Sequence, residues 1–444
     1  MIINGNAQSL PLADCSVDTV CTDPPYELGF MGKRWDASGV AFDPATWAES
    51  LRVAKPGATL LAFGGTRTWH RLACAIEDAR WIIRDCLMYM YGSGFPKSHD
   101  ISKAIDKAAG AEREVVGSGY RTHTNSTLSR AKQAEHGYRP NGPDYPCDSP
   151  EYDITAPATP LAQLWDGYGT ALAPSWEPII VAMKPLDGTF AANAEKHGVA
   201  GLWIDGGRIG TSKNTPASPS RTGQWFGAGH ETGHETGHDP NIGRWPANVL
   251  LDEHAAGLLD EQSGERGVSK KGSGVGNKES MFGLKNQPGN MGLGDSGGAS
   301  RFFYVSKPSR AERDAGCYAL EPRSGGDITG RKAGSAGAKA SAYAGTTEAV
   351  RRNPHPTVKP VALMRYLVRL TRTPTGGVVL DPFCGSGTTG MACELEDRDF
   401  VGVDLNPDYC ELARARIAHV QKHGTDWKAD PRQVALDAQM DLLK

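Results

Sequence analysis

Val378-Val379-Leu380-Asp381-Pro382-Phe383-Cys384-Gly385-Ser386-Gly387-Thr388-Thr389-Gly390 reads as a buried strand, a tight loop and the start of a helix. The apolar run stops at Asp381-Pro382, because proline cannot donate to a sheet ladder. Gly385 and Gly387 let the backbone approach a ligand closely, and the helix start beyond them offers N–H groups. The same glycine pair is met in purely structural turns. Asp404 closes the next strand, Val401-Gly402-Val403-Asp404, 19 residues after Gly385. An acid about 20 residues past such a loop is where a Rossmann-type site holds ribose hydroxyls. No Gly-Lys-Ser/Thr follows, which disfavours triphosphate hydrolysis. On these residues alone, dinucleotide binding stays open.

Outward from this loop the chain alternates strand and helix. A helix is expected over Pro360–Arg372, strands over Gly377–Leu380 and Phe400–Val403, and a helix over Pro407–Val420. The N-terminal part repeats the theme. Val17-Asp18-Thr19-Val20-Cys21-Thr22 is β-branched, Ala45–Ala54 helical, Gly57–Phe63 a buried strand, Thr66–Ala79 helical and Trp81–Tyr91 strand-like. Such βαβα order predicts an α/β fold, a parallel doubly wound sheet with helices on both faces. Both ends of the chain are expected to build one interrupted sheet.

The first strand stops at Asp23-Pro24-Pro25-Tyr26. The prolines lack N–H groups, so the Pro24 carbonyl stays available beside an acceptor-only carboxylate and an aromatic face. Two acceptors and a ring form a receptor for a planar base with an exocyclic amine. The plainer reading is a proline-rich turn with a core tyrosine.

With both motifs in view, the sequence resembles the DNA amino-methyltransferases that use S-adenosylmethionine. The resemblance makes Asp23, Pro24, Pro25 and Tyr26 the catalytic turn. It makes Asp381, Pro382, Phe383, Gly385, Ser386, Gly387 and Thr388, with His355, Thr357 and Lys359 of His355-Pro356-Thr357-Val358-Lys359-Pro360, the cofactor site, joined by Asp23 and Asp404. Because the turn precedes the loop, the order resembles the circularly permuted β class of bacterial and phage enzymes, a Rossmann-like methyltransferase sheet interrupted by a target-recognition insertion. Tyr91–Lys97, Ser175–Ile180, Gly243–Asn248 and Lys307–Arg313 are similar to segments of that branch. Many relatives carry Gly-Asp near the N-terminus; here Asn4-Gly5-Asn6 puts an amide there, so Asn6, with Ala7, is the expected adenine-side contact and brings no charge.

The resemblance implies methyl transfer to N6 of an adenine flipped out of duplex DNA. N4 of cytosine is the alternative, since an aspartate leading the turn favours adenine and a serine cytosine. RNA or protein amide methyltransferases more often lead with Asn and place the loop first. A nicotinamide dehydrogenase leaves Asp23–Tyr26 without a role, and a non-catalytic DNA-binding protein needs neither motif intact.

Composition bounds the rest. At 444 residues, 39% hydrophobic, 22% charged and net −3, the chain fits a soluble protein of two or three domains. No apolar run approaches the ~20 residues of a membrane span, and Met1-Ile2-Ile3-Asn4-Gly5-Asn6 lacks a basic signal region. Nine cysteines without a Cys-x-x-Cys pair predict reduced thiols and no zinc site. The expected location is the cytoplasm, associated with the nucleoid; the partner is double-stranded DNA, with a homodimer allowed for and no partner endonuclease identifiable. Residues 301–372 carry 14 Lys/Arg against 5 Asp/Glu, a local density that phosphate contacts need. Within it Arg310, Arg313, Arg351 and Arg352 are the expected DNA contacts, while Arg365, Arg369 and Arg372 share one helix face that is either DNA-facing or simply solvated. Trp203, Trp225, Phe226, Trp245, Phe302, Phe303 and Tyr304 are mostly expected in the core.

Glycine is uneven: residues 201–350 hold 29 of the 54. The stretch Gly264–Gly298 has no sustained periodicity and reads as a long loop, a flexible insert or a surface that orders on a partner. The repeat around His230, His234 and His238 reads as a loop expansion; no metal is expected. The expected division is 1–190 for the catalytic half, with a loop-rich excursion at about 110–160; 191–300 for the recognition insertion; 301–425 for the cofactor half; and a tail over 426–444.

Overall fold

A computed structural model describes residues 1–29, 34–92, 94, 98–120, 151–209, 243–265, 297–306, 310–321, 323–324 and 350–428. Its strands in chain order are β1 (Ile2–Asn4), β2 (Val17–Thr22), β3 (Ala54–Phe63), β4 (Ile82–Met90), β5 (Val115–Tyr120), β6 (Glu151–Thr155), β7 (Trp176–Met183), β8 (Val249–Asp252), β9 (Tyr304–Ser306), β10 (Arg323–Ser324), β11 (Val350–Arg351), β12 (Val378–Asp381) and β13 (Asp399–Asp404). Nine of them form one sheet in the order β1-β13-β12-β2-β3-β7-β4-β8-β9, while β5 pairs with β6 and β10 with β11 in two small ribbons. Strands from both ends of the chain share the sheet: β12 lies beside β2, and β1 beside β13.

The main helices are α1 (Pro44–Val53), α2 (Trp69–Asp78), α3 (Ile101–Ala108), α4 (Pro160–Leu164), α5 (Phe190–His197), α6 (Ile204–Gly207), α7 (Glu253–Ser263), α8 (Arg310–Asp314), α9 (Val361–Leu370), α10 (Thr388–Leu395) and α11 (Pro407–His423). Local sequence sets their starts. The Asp43 side chain accepts from Ala45 N with Pro44 in the first turn of α1, and Asn406 accepts from Asp408 N with Pro407 in the first turn of α11.

Side chains that alternate along the central strands feed two cores. Cys21, Leu61, Phe63 and Val379 pack with Leu363, Met364, Leu367, Met391 and Ile417 of α9, α10 and α11. Their neighbours Val20, Leu60, Ala62 and Leu380 pack on the other face with Trp47 and Val53 of α1 and Leu72 and Ile76 of α2. Every residue of β2 is buried, as a strand covered on both faces must be. Each buried Val, Leu or Phe side chain of these strands contributes roughly 1.5–3 kcal/mol, which anchors the sheet between the two cores.

Two features differ from the expected parallel sheet. Strand β7 runs antiparallel between β3 and β4. Its run Pro178–Met183 is buried throughout, so it has no periodicity to betray direction. Strand β8 falls in the span assigned to the recognition insertion, yet it extends the main sheet beside β4 and carries β9 at its edge. Most of Gly264–Gly298, the 230–238 repeat and most of the C-terminal tail lie outside the described residues. No described helix is long and apolar enough to cross a membrane.

Candidate active site

The strands β13, β12 and β2 are adjacent and parallel, so their carboxyl ends open along one edge, where open α/β sheets bind ligands. Asp404, Asp381 and Asp23 stand at these three ends. Gly5 N donates to the Asp404 carbonyl at 3.0 Å, which brings Asn6 and Ala7 to the same edge. The Asn6 side-chain oxygen accepts from Gln8 N at 3.0 Å within its own turn; Ala7 is buried.

The glycine loop is held from several sides. Asp404 accepts from Gly385 N through Oδ2 and from Asn406 N through Oδ1, both at 2.8 Å, and burial raises its pKa. Gly385 and Gly387 have φ of 50° and 76°. A Cβ on Gly385 would stand 2.7 Å from His355 Nε2, and one on Gly387 2.8 Å from the Ala413 Cα, so both must be glycine. His355 covers the loop, with Nδ1 3.0 Å from the Thr357 carbonyl and its ring edge-on to Tyr409; burial lowers its pKa to about 3. Thr357 itself is exposed.

Three expected loop contacts also have partners within the protein. Asp381 is 2% exposed and accepts from Thr22 Oγ1 at 2.7 Å, Thr389 Oγ1 at 2.6 Å and Phe383 N at 3.1 Å. Burial pushes its pKa up to about 6 against those donors. Its carboxylate therefore ties β12 to β2. Phe383 packs against Trp47 with ring centroids 6.4 Å apart, and Pro382 is buried beside it. The loop also has a brace that sequence reasoning missed. Arg416 on α11, fully buried, donates through NH1 to the Ser386 carbonyl at 2.7 Å and to the Ser386 and Thr388 hydroxyls, and through NH2 to the Glu312 carbonyl at 2.9 Å. Burial lowers its pKa to about 10. A basic residue on the inner face of an otherwise apolar helix stripe was the only sign of it.

The turn after β2 carries a second cluster. Lys359, expected among the cofactor contacts, meets the turn at Asp23: its Nζ lies 2.9 Å from Asp23 Oδ2, 3.0 Å from the Tyr26 hydroxyl and 3.3 Å from Glu177 Oε2. The Tyr26 hydroxyl donates to Glu177 Oε2 at 3.3 Å, and the ammonium also faces the Tyr26 and Phe63 rings. Glu177 enters from β7 and was not foreseen, although it stands in the quoted Ser175–Ile180 segment. Burial raises the Asp23 pKa, Lys359 opposes the rise and Glu177 adds to it. Burial would lower the Lys359 pKa, but Asp23 and then Glu177 outweigh it and hold the ammonium charged. Asp23 Oδ1 is buried and has no hydrogen-bond partner among the described residues. A bare carboxylate oxygen in such a place is costly unless a donor arrives.

Of the four expected DNA contacts, two have described side chains. Arg313 donates to the His355 carbonyl, and Arg352 to the Tyr318 and Leu320 carbonyls at 3.1 and 2.8 Å, so both guanidinium groups are engaged within the protein. The side chains of Arg310 and Arg351 lie outside the described atoms. Arg365 and Arg369 pair with Glu396 at 2.8 and 2.7 Å, and Arg372 donates to the Glu396 carbonyl, so this helix face is packed on α10. Tyr304 is stacked on Tyr366, but Trp245 is 65% exposed with Arg208 over its ring; Trp203 is also exposed, and Trp225 and Phe226 lie outside the described residues. Among the described residues no cluster of His, Cys, Asp or Glu could hold a metal ion.

Residues 304–415, which span Lys359, the glycine loop and Asp404, match a protein-family model described as DNA methylase, of the N6/N4 type. Over this segment the chain is similar to DNA methyltransferases of the N6/N4 family. The Type II methyltransferase M.HpaI of Haemophilus parainfluenzae is 44% identical over 66 residues, 15% of this chain and 21% of its own. M.SmaI of Serratia marcescens is 51% identical over 63 residues, 14% of this chain and 21% of its own. The chain thus matches about a fifth of the length of these curated relatives. Among solved structures, the Thermus thermophilus protein TTHA0409 complexed with S-adenosyl-L-methionine shares 14% identity, covering 94% of this chain and 92% of its own, at a TM-score of 0.36. The PvuII DNA methyltransferase (cytosine-N4-specific) shares 12%, covering 94% and 85%, also at 0.36. Likenesses this loose carry no argument; the architecture rests on the sheet itself.

Proposed function

We propose that this chain is an S-adenosylmethionine-dependent, site-specific DNA methyltransferase of the permuted β class, acting on the N6 amine of an adenine turned out of the duplex. The observation that carries the reading is Asp23 Oδ1, a buried acceptor without a donor, at the carboxyl end of a strand two places from the one that Asp404 ends. An amine N–H is the donor it lacks. The glycine loop and Asp404 fit the cofactor: Asp404 keeps acceptor capacity beyond its two N–H bonds, which ribose hydroxyls would use.

The cofactor, when bound, supplies a methyl group on a positively charged sulfur. The amine of adenine is a weak nucleophile because its lone pair is delocalised into the ring. Asp23 Oδ1 and the Pro24 carbonyl accept its two protons, favour a pyramidal nitrogen and return density to it. Tyr26 would hold the ring beside Asp23, so that the amine faces the cofactor's side of the sheet edge. On methyl transfer the nitrogen would give up one N–H proton, and the Asp23 carboxylate beside it would take that proton. The catalysis is positioning and electrostatics.

The family description covers both amines, so N4 of cytosine is the runner-up; the aspartate leading the turn favours adenine. Incubation of the chain with methyl-labelled cofactor and duplex DNA tests the reading. Label enters DNA with the native chain and not with Asp23→Ala, which keeps cofactor affinity within a few fold. Label transfer by the variant at the native rate overturns the role of Asp23.

A further inference from the structure

Lys359 has three N–H donors, and three acceptors surround its Nζ: Asp23 Oδ2, the Tyr26 hydroxyl and Glu177 Oε2. The ammonium is thus held from three sides, and Glu177 Oε2 also accepts from the Tyr26 hydroxyl. Glu177 reaches the cluster from β7, the strand that runs against its neighbours, and its side chain is only 24% exposed. Two carboxylates share one ammonium here.

We propose that Glu177 is the positioning residue of the catalytic turn: it draws Lys359 and the Tyr26 hydroxyl to one side, leaving Asp23 Oδ1 unpaired and Asp23 incompletely neutralised for the target amine. This rests on the methyltransferase reading above. Without Glu177 the whole ammonium charge falls on Asp23, which then becomes a weaker acceptor, and Tyr26 loses the group that fixes its hydroxyl. The other charged and titratable groups near Asp23 and this cluster are Cys21 on its own strand, Asp381 on β12, Tyr89 on β4 and His355 in the segment that carries Lys359. None of them meets Lys359 within hydrogen-bond distance in the described contacts, so none replaces Glu177.

The test uses the full chain and Glu177→Gln and Glu177→Asp. Carbon-13 carboxyl NMR follows the Asp23 titration in the cofactor-free protein, the signal being assigned by its loss in Asp23→Asn. The midpoint falls in Glu177→Gln and falls less in Glu177→Asp, whose carboxylate is drawn back from Lys359. In parallel, the single-turnover rate falls about tenfold or more in Glu177→Gln, with cofactor affinity within a few fold and the acid limb moved to lower pH. A residue that only supports folding would lower stability and leave both midpoints in place. If Glu177→Gln does not fold, the Glu177→Asp titration decides alone. An unchanged Asp23 midpoint in the folded variants overturns the inference. Failure of the native chain to methylate DNA overturns the methyltransferase reading instead, while the titration still reads the role of Glu177.

Discussion

The Lys359 ammonium and Asp23 Oδ2 lie 2.9 Å apart, joining the segment before α9 to the turn after β2. The residue nearest the expected cofactor motif therefore serves the expected catalytic one. The pair exists because β12 lies beside β2, so segments far apart in the chain meet at one sheet edge.

Lys359→Met leaves Asp23 and Glu177 facing each other with no counter-charge. Removing one partner of a buried pair typically costs about 3–5 kcal/mol. Denaturant unfolding is expected to show a loss of that order. Calorimetry is expected to find cofactor affinity within a few fold; a large loss of affinity with normal stability would return Lys359 to the cofactor site.

Arg416→Met removes the donors that hold the Ser386 carbonyl and the Ser386 and Thr388 hydroxyls. Each buried acceptor left bare costs about 1–3 kcal/mol. The loop loosens, so stability and cofactor affinity are expected to fall together while the turn at Asp23 is untouched. Unfolding and calorimetry on one preparation check the coupling; normal cofactor affinity in a destabilised variant would make Arg416 structural only.

Asp404→Ala takes away the acceptor of Gly385 N and the proposed ribose acceptor. A hydrogen bond to a charged group is worth about 1.5–3 kcal/mol, roughly tenfold or more in affinity. Calorimetry showing native affinity would place the ribose elsewhere.

His355 contributes a pH signature. Burial holds its pKa near 3 in the folded state, against about 6.5 for a free side chain. Its stabilising share is present above about pH 6.5 and is lost as pH falls towards 3, where the unfolded chain binds the extra proton. Unfolding measured across this range is expected to show the native chain losing stability faster than His355→Asn. Parallel curves would mean that His355 is solvated.

The fold was largely legible because its signals are local. Val17–Thr22 is a strand to the residue, and the helix and strand expectations around Ala45, Trp81, Gly377 and Pro407 differ from the structure only at their ends. The glycine loop and the Asp-Pro-Pro-Tyr turn could be found because each packs its chemistry into consecutive residues. Glu177, Arg416 and the contact of Lys359 with Asp23 could not, since each reaches a residue remote in sequence. The arginines at 313 and 352 read as DNA contacts and those at 365–372 as a face that is DNA-facing or solvated, yet their partners, backbone carbonyls and Glu396, become visible only on folding.

The proposed chemistry at Asp23 ends with a methyl group on the amine of an extruded adenine. Mass spectrometry of nucleosides from duplex DNA treated with the native chain and S-adenosylmethionine tests it most directly. N6-methyladenine, absent when Asp23→Ala is used, is the predicted result. N4-methylcytosine alone would contradict the choice of base, and DNA carrying no new methyl group on any amine would contradict the account as a whole.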